Sequence, residues 1–396
     1  MKIMQYCDNF YPQVDGVIKV VDNYARIMNE RETAKVVVPQ YKMKQSNDLL
    51  LSYEVLRRPA FAVTFKQTEV PLPKKAGALT KKIQEYSADI YHAHSPFFIG
   101  NYALKLARKH HVPIVATFHS QFEKDALTLT HSKLITKCLV KSVVRFFNQC
   151  DEVWAPSKST AEVLKSYGYK KEIFIMENGT NFNYFNNAKD LRKLAMQKYG
   201  IALENKNLLF VGQLRAIKNI PLLLQTTKNL VEKDKTYHLY LVGEGMDQAE
   251  YQAWSVKNNL QSNVHFLGKI IDSSLLAGVY SACDLFFFPS SYDNAPIVIR
   301  EASVMQLPSL VTVNSPTAEP FVDNVNGYLA EESVTAMQEK IMQIFAQPLK
   351  MKAVGKRASQ QIPISFDKTV DKALQRYQYI IDQYHQRKNE KTRQVK

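Results

Sequence analysis

Short apolar runs alternate with amphipathic stretches along most of the chain. The apolar runs have the length of buried strands, and the stretches between them have the spacing of helices. Strands are predicted in two series, at Lys2–Cys7, Lys35–Val38, Ile90–His92, Ile114–Phe118, Glu152–Ala155 and Ile173–Met176, and then at Asn207–Val211, Tyr240–Val242, Val264–Leu267, Leu285–Phe288 and Ser309–Thr312. Strands that alternate with helices indicate a parallel α/β architecture.

The helical pattern places most helices directly after these strands. They are predicted at Val17–Asn29, Ile220–Glu232, Met246–Asn258, Leu275–Ser281, Val298–Gln306, Val334–Phe345 and about Phe366–Arg387. Ser159 followed by Glu162 predicts a capping box at the start of a further helix that leads to Tyr167. A polar, Asn-rich passage at 177–190 separates the two series, so we expect two Rossmann-like domains, at residues 1–183 and 184–371.

The segment from residue 283 to residue 302 is the most informative of the chain. It combines a buried strand, a polar turn and the start of a helix, with Asp293 and Glu301 eight residues apart. The amides of Ile297 and Val298 would open the helix, where free N–H groups and the helix dipole attract anions. This pattern favours a site for a phosphate-bearing ligand. An Asx turn that caps the helix, with Glu301 solvated, explains it equally well.

Two further strand ends carry candidate binding residues. Gly212 ends a strand, and the short loop after it carries Arg215 and Lys218, which could neutralise a diphosphate. Such loops are common, so an ordinary loop is the favoured explanation for this element alone. His119 also follows a predicted strand, where side chains face the ligand crevice of a parallel sheet.

Motifs for metals and dinucleotides are incomplete. His92 and His94 could form a metal pair, but no third ligand has matching spacing, so no metal site is predicted. The loop around Gly16 has one glycine where the dinucleotide fingerprint needs three, and Gly243-Glu244-Gly245 lacks the third. The sequence therefore gives no support to a nicotinamide-dependent dehydrogenase.

Composition indicates the cellular compartment and the kind of partner that the protein binds. The 396 residues include four scattered cysteines, which indicate reduced thiols in a cytoplasmic protein. The formal net charge of +15 favours anionic partners such as nucleic acid, anionic lipid or a phosphorylated substrate. Nucleic acid is the weakest of these, because no zinc-finger, RNA-binding or helix-turn-helix signature is present.

One predicted helix combines basic and apolar positions. Its basic residues recur every four positions and share one face: Lys133, Lys137, Lys141 and Arg145. Apolar residues fill much of the rest, as in helices that lie on anionic membranes. A solvated face over a core-packed helix is the alternative. A second basic cluster, formed by Lys74, Lys75, Lys81 and Lys82, supports a membrane-surface enzyme.

Taken in order, these elements resemble the family-4 retaining glycosyltransferases of the GT-B fold over nearly the whole chain. Asp293 to Glu301 resembles the family's Glu-x7-Glu motif, and Gly212 to Lys218 its Gly-Arg-Leu…Glu-Lys-Gly element. Gly16 and His119 match the first-loop glycine and the cleft histidine. The resemblance implies two Rossmann-like domains that face each other across a cleft, with the C-terminal helix, about 372–396, returning to the first domain.

The same resemblance implies roles for individual residues. Glu301 would bind the nucleotide ribose, and Asp293 and His119 would hold hydroxyls of the donor sugar. The diphosphate would be bound by Lys218 and by the amides of Gly16, Ile297 and Val298. Asp293 stands where the family has glutamate, and Gln213 where it has a phosphate-binding arginine, so we hypothesise that Arg215 supplies the missing charge.

The function implied is metal-independent, retaining transfer of a hexose from a nucleotide sugar, UDP-glucose above all, with no other cofactor. The basic helix favours a membrane lipid or lipid-linked acceptor, as in bacterial diacylglycerol glucosyltransferases, and a peripheral position on the inner face of the cell membrane. The alternatives are transfer to a cell-surface polysaccharide or a protein-bound glycan, or a catalytically silent GT-B protein that binds glycans or a partner.

Overall fold

The computed structural model describes residues 1–13, 15–40, 48–65, 68–73 and 78–394. They form two compact units, each with its own parallel sheet and core. The first unit comprises Met1–Gly179 and Ser365–Lys396, and the second comprises Thr180–Ile364.

The first unit is built on a seven-stranded parallel sheet in the order β3-β2-β1-β6-β7-β8-β9, with β4 and β5 as a separate antiparallel hairpin. The strands are β1 (Lys2–Tyr6), β2 (Thr33–Pro39), β3 (Glu54–Arg58), β4 (Ala60–Phe65), β5 (Thr68–Pro73), β6 (Ile90–Ala93), β7 (Ile114–Thr117), β8 (Glu152–Ala155) and β9 (Phe174–Ile175). The helices are α1 (Gly16–Asn29), α2 (Ala78–Glu85), α3 (Phe98–His110), α4 (Phe122–Thr130), α5 (Lys133–Asn148), α6 (Lys158–Ser166) and the C-terminal α14 (Phe366–Gln394).

The C-terminal helix α14 is an integral part of the first unit. Its Arg376 forms a bidentate pair with Glu152 of β8, with Nη2 2.7 Å from Oε2. The fully buried ring of Tyr377 stacks on Trp154, with the ring centroids 5.2 Å apart. The last helix is therefore held by both packing and charge.

The second unit has a six-stranded parallel sheet in the order β12-β11-β10-β13-β14-β15. The strands are β10 (Lys206–Val211), β11 (Tyr237–Val242), β12 (Val264–Gly268), β13 (Leu285–Phe288), β14 (Ser309–Thr312) and β15 (Tyr328–Ala330). The helices are α7 (Ala188–Tyr199), α8 (Ile220–Lys233), α9 (Gln248–Lys257), α10 (Ser273–Ala282), α11 (Ile297–Val304), α12 (Val334–Phe345) and α13 (Pro348–Gln361). All four residues of β13 are buried, as expected for a central parallel strand.

Every predicted strand is present, with ends shifted by a few residues, and the parallel α/β class is confirmed.

The predicted capping box at Ser159 and Glu162 is wrong. Ser157 caps α6, because its side chain accepts a hydrogen bond from the amide of Thr160 at 3.1 Å. Ser159 lies inside the helix. The strands β3 and β15 and the β4–β5 hairpin were not predicted from the sequence.

Candidate active site

The strand order of the second unit brings two predicted site residues together. The sheet order reverses between β10 and β13, which are hydrogen-bonded neighbours. In open α/β sheets this switch point opens a crevice at the carboxyl ends of the strands, where ligands bind. Lys218 ends a 3₁₀ turn that follows β10, and Asp293 lies in the turn after β13.

Lys218 and Asp293 form an ion pair at this switch point. The Nζ of Lys218 donates to Oδ1 of Asp293, and the two side chains are only 14% and 15% exposed. The second carboxylate oxygen, Oδ2, is buried and has no hydrogen-bond partner among the described residues. A buried acceptor without a hydrogen-bond partner is unfavourable, so this oxygen has unused capacity to accept a hydrogen bond.

The turn after Asp293 leads directly into a helix N-terminus. Ala295 has a φ of 46°, a left-handed conformation that costs a non-glycine residue about 1–2 kcal/mol. The helix α11 then begins at Ile297, and its N-cap residue, Pro296, makes no side-chain capping bond. The first N–H groups of a helix, here those of Ile297 and Val298, lack intrahelical acceptors and carry partial positive charge.

Glu301, one turn into α11, is buried rather than solvated. It is 5% exposed, and its Oε2 accepts a hydrogen bond from the hydroxyl of Tyr280 at 3.1 Å. Burial, reinforced by the charge of Glu301, raises the pKa of Tyr280 well above its ordinary value, so the phenol keeps its proton. The interpretation of Glu301 as a solvated helix residue is therefore wrong. Tyr280 has no sequence signal, because it lies among the apolar residues of α10.

The loop that carries Lys218 is shaped by two glycines that sequence reasoning set aside. Gly243 has a φ of 130°, and a Cβ there would lie 1.9 Å from the carbonyl oxygen of Gly212. A Cβ at Gly245 would lie 2.1 Å from the carbonyl oxygen of Leu214. Gly243-Glu244-Gly245 thus permits close backbone packing beneath this loop.

The same loop carries the two residues that were considered for the missing phosphate-binding charge. The side chain of Gln213 is exposed, and that of Arg215 is half-buried.

The first unit places one candidate at the start of α1 and the other just after β7. Gly16 is the first residue of α1, whose N-cap, Asp15, accepts from the amide of Ile18 at 2.8 Å. His119 follows β7 and lies with its Nε2 3.1 Å from Nδ1 of His94. Burial lowers the pKa of His119 to about 4, so its ring is neutral at pH 7.

The His92–His94 pair is engaged in hydrogen bonds within the protein. The ring nitrogens of His92 contact Tyr377 at 2.5 Å and Thr117 at 2.7 Å. Those of His94 contact His119 and Gln5, each at 3.1 Å. Within the described part of the chain, no group of three or more His, Cys, Asp or Glu residues is arranged to hold a metal ion.

The basic helix α5 is exposed along its first half and buried at its end. Its four basic residues, Lys133, Lys137, Lys141 and Arg145, are all exposed. Leu134 is 74% exposed and Ile135 50%, whereas Phe146 and Phe147 are buried. The core-packed alternative therefore describes only the second half of the helix.

Of the second basic cluster, Lys74 and Lys75 lie outside the described residues. Lys82 is paired with Glu54 at 2.7 Å. Across the described part of the chain, no helix combines the length and the apolarity that crossing a membrane requires.

Two Rossmann-like units, one of which holds an ion pair at its switch point beside a helix N-terminus, are the architecture expected of a glycosyltransferase of the GT-B fold. The model "Glycosyltransferase Family 4" matches residues 14–184, and the model "Glycosyl transferases group 1" matches residues 192–361. The chain belongs to the family-4 glycosyltransferases and is a hexosyltransferase.

The relatives share most of its length at modest identity. An alpha-monoglucosyldiacylglycerol synthase of Streptococcus pneumoniae is 25% identical over 82% of this chain and 73% of its own. A GDP-mannose-dependent alpha-mannosyltransferase of Corynebacterium glutamicum is 24% identical over 84% of this chain and 77% of its own.

Solved structures share the fold. HepE of Anabaena, in complex with UDP, has a TM-score of 0.76 at 18% identity and covers 95% of this chain and 100% of its own. A sucrose-phosphate synthase of Thermosynechococcus elongatus has a TM-score of 0.78 at 16% identity, covering 96% and 100%. These likenesses confirm the predicted GT-B fold.

Proposed function

We propose that this enzyme transfers glucose from UDP-glucose to a hydroxyl of a membrane lipid, with retention of the anomeric configuration. The observation that carries the proposal is the Lys218–Asp293 pair at the β10–β13 switch point, beside the N-terminus of α11. This crevice combines a cation and a helix N-terminus, which attract a diphosphate, with a carboxylate, which can accept hydrogen bonds from sugar hydroxyls.

The diphosphate is assigned to the cationic side of this arrangement. Lys218 and the amides of Ile297 and Val298 provide fixed positive charge, and Arg215 provides a further cation where Gln213 cannot. As the bond between the anomeric carbon and the leaving oxygen breaks, negative charge grows on the diphosphate. Preorganised donors aimed at that charge lower the barrier.

The sugar and the ribose are assigned to the carboxylates and to His119. The unpartnered Oδ2 of Asp293 accepts a hydrogen bond from one sugar hydroxyl, and the neutral His119 forms a hydrogen bond with a second hydroxyl. Glu301, oriented by Tyr280, accepts hydrogen bonds from the hydroxyls of the ribose. Gly16 contributes its amide at the start of α1.

Retention follows from attack on the face from which the diphosphate leaves. The acceptor oxygen forms its bond to the anomeric carbon as the diphosphate departs, and the proton of the acceptor hydroxyl passes to the departing phosphate oxygen. This route needs no carboxylate nucleophile of the kind that a double-displacement glycosidase uses. It also assigns no step to a metal ion or a further cofactor.

The acceptor is assigned to the membrane because of α5. Its exposed lysines and arginine attract anionic lipid, and its exposed Leu134 and Ile135 can enter the headgroup region. The synthases of S. pneumoniae and Acholeplasma laidlawii, named for a glucosyl-diacylglycerol product, support a diacylglycerol-type acceptor. The enzyme would then work at the inner face of the cell membrane.

The donor assignment is tested by thermal-shift titration with UDP-, GDP- and ADP-glucose. UDP-glucose should raise the Tm at the lowest concentration. The Arg215→Ala variant should bind it about tenfold more weakly, because a charge-assisted hydrogen bond contributes about 1.5 kcal/mol. Arg357→Ala removes an exposed arginine of α13 and should bind like wild type.

Two results would count against this assignment. Unchanged affinity in Arg215→Ala would show that another group supplies the missing charge. If no nucleotide sugar raises the Tm of the wild-type protein, the proposal of a nucleotide-sugar site is contradicted.

A further inference from the structure

Three histidines meet at the carboxyl ends of β6 and β7 in the first unit. This histidine cluster consists of His92, His94 and His119. The ring centroids of His92 and His94 are 4.0 Å apart, and the ring of His94 is stacked on that of His119 at 5.4 Å. Only His119 is a candidate substrate contact, so the other two rings need a different explanation.

A chain of hydrogen bonds joins His119 to a glutamine on β1. Oε1 of Gln5 lies 3.1 Å from Nε2 of His94, and Nδ1 of His94 lies 3.1 Å from Nε2 of His119. Gln5 is fully buried and His94 is 2% exposed. The amide nitrogen of Gln5 faces Sδ of Met28 at 3.8 Å, which turns its carbonyl oxygen towards His94.

The neighbouring groups cannot replace these partners. Both ring nitrogens of His92 are occupied by Tyr377 and Thr117. Tyr24 packs against His94 through its ring, with the centroids 6.1 Å apart. His94 is therefore restricted to Gln5 on one side and His119 on the other.

Counting protons along this chain gives a single arrangement. Burial lowers the pKa of His94 well below its ordinary value and that of His119 to about 4, so each ring carries one proton at neutral pH. The carbonyl oxygen of Gln5 can only accept, so the proton of His94 lies on Nε2. Nδ1 of His94 must then accept, and His119 must donate from its own Nε2.

We propose that Gln5 and His94 are positioning residues that fix the tautomer of His119, so that its Nδ1 is a hydrogen-bond acceptor. The proposal rests on the proposed function in that His119 contacts the donor sugar. It adds that the sugar hydroxyl at this position donates to the histidine. A buried relay of this kind also holds the imidazole ring in one orientation before substrate arrives.

The tautomers can be observed directly by long-range ¹H–¹⁵N NMR of protein labelled with ¹⁵N-histidine. In the wild-type protein, His94 and His119 should both carry the proton on Nε2. In Gln5→Glu, the carboxylate should favour the doubly protonated form of His94, which then donates from Nδ1. His119 should consequently accept at Nε2 and move its own proton to Nδ1.

Two further variants separate the relay from a general loss of packing. Gln5→Leu fills the same space without a hydrogen bond, and it should leave His119 as a mixture of tautomers. Gln338→Leu replaces another buried glutamine, in the second unit, and should change none of the three cluster histidines. The signals of His238 and His265, which contact each other at 3.0 Å in the second unit, should be the same in all Gln5 variants.

Kinetics give the second readout. Gln5→Glu should lower kcat for sugar transfer about tenfold, which corresponds to the loss of one hydrogen bond, while Gln338→Leu stays at the wild-type rate. A wild-type His119 protonated on Nδ1, or a tautomer that is the same in all Gln5 variants, would overturn the proposal. An unchanged kcat in a Gln5→Glu protein with the reversed tautomer would also overturn it. The NMR result needs no substrate, so it is independent of whether UDP-glucose is the donor.

Discussion

Replacing Lys218 with methionine should lower kcat for sugar transfer about 100- to 1000-fold, because it removes a preorganised cation from the growing charge of the leaving diphosphate. The same substitution leaves Asp293 as an uncompensated charge that is only 15% exposed. Breaking such a pair typically costs about 3 kcal/mol of the free energy of unfolding. Steady-state transfer assays and chemical denaturation measure the two effects separately.

The double variant Lys218→Met with Asp293→Asn distinguishes catalysis from structure. It removes both charges, so it should recover most of the lost stability but none of the lost activity. The Lys206–Asp234 ion pair of the same unit is a control with the same charges in a more exposed position, since its side chains are 35% and 36% exposed at an N–O distance of 2.7 Å. Removal of the Lys206–Asp234 pair should change the free energy of unfolding by less than about 1 kcal/mol and leave kcat for sugar transfer unchanged. Recovery of wild-type kcat in the Lys218 double variant would show that the pair is only structural.

Replacing the four basic residues of α5 with glutamine should reduce binding to anionic vesicles about 100-fold or more. Each basic residue near an anionic surface contributes about 1 kcal/mol, and salt screens part of the total. Sedimentation with phosphatidylglycerol-containing and with pure phosphatidylcholine vesicles measures the difference. Wild-type protein should prefer the anionic vesicles strongly, whereas the variant with changes at Lys133, Lys137, Lys141 and Arg145 should not.

The second unit offers a control that carries the same change of charge. Four exposed basic residues of α13, namely Lys350, Lys352, Lys356 and Arg357, can be replaced in the same way. This variant should keep nearly all of its vesicle binding. Equal losses in the two variants would mean that net charge, and not α5, attracts the protein to lipid.

The cysteines allow the contact to be observed at one position. Cys138 of α5 is exposed, whereas Cys7, Cys150 and Cys283 are buried. A polarity-sensitive fluorophore on Cys138 should therefore report the environment of α5 alone. Its emission should shift to the blue when anionic vesicles are added to the protein.

Much of the fold was predictable, because buried parallel strands such as Leu285–Phe288 are continuous apolar runs. The missed strand β3 lies at a sheet edge, and only one of its five residues is buried, so it lacks that signal. The strand β15 has only three residues. Ser157 and Ser159 are both competent caps, and tertiary packing decides between them.

The site was predictable where one short segment carries it, and not where the fold assembles it. Asp293 and Glu301 share one strand–turn–helix segment, so their motif is visible in the sequence. Tyr280 contacts Glu301 from a different helix. Gln5 reaches His94 only because β1 and β6 are neighbours in the sheet, 89 positions apart along the chain. Strand order is a tertiary property, which a single sequence does not display.

The central claim is tested most directly by the product that the wild-type protein makes from UDP-glucose and vesicles containing diacylglycerol and phosphatidylglycerol. Proton NMR of the extracted lipid reports both the transfer and the anomeric configuration. We expect a glucosyl-diacylglycerol with the α configuration. A β-linked product would contradict retention, and the absence of any glycolipid in the presence of bound UDP-glucose would contradict the lipid acceptor.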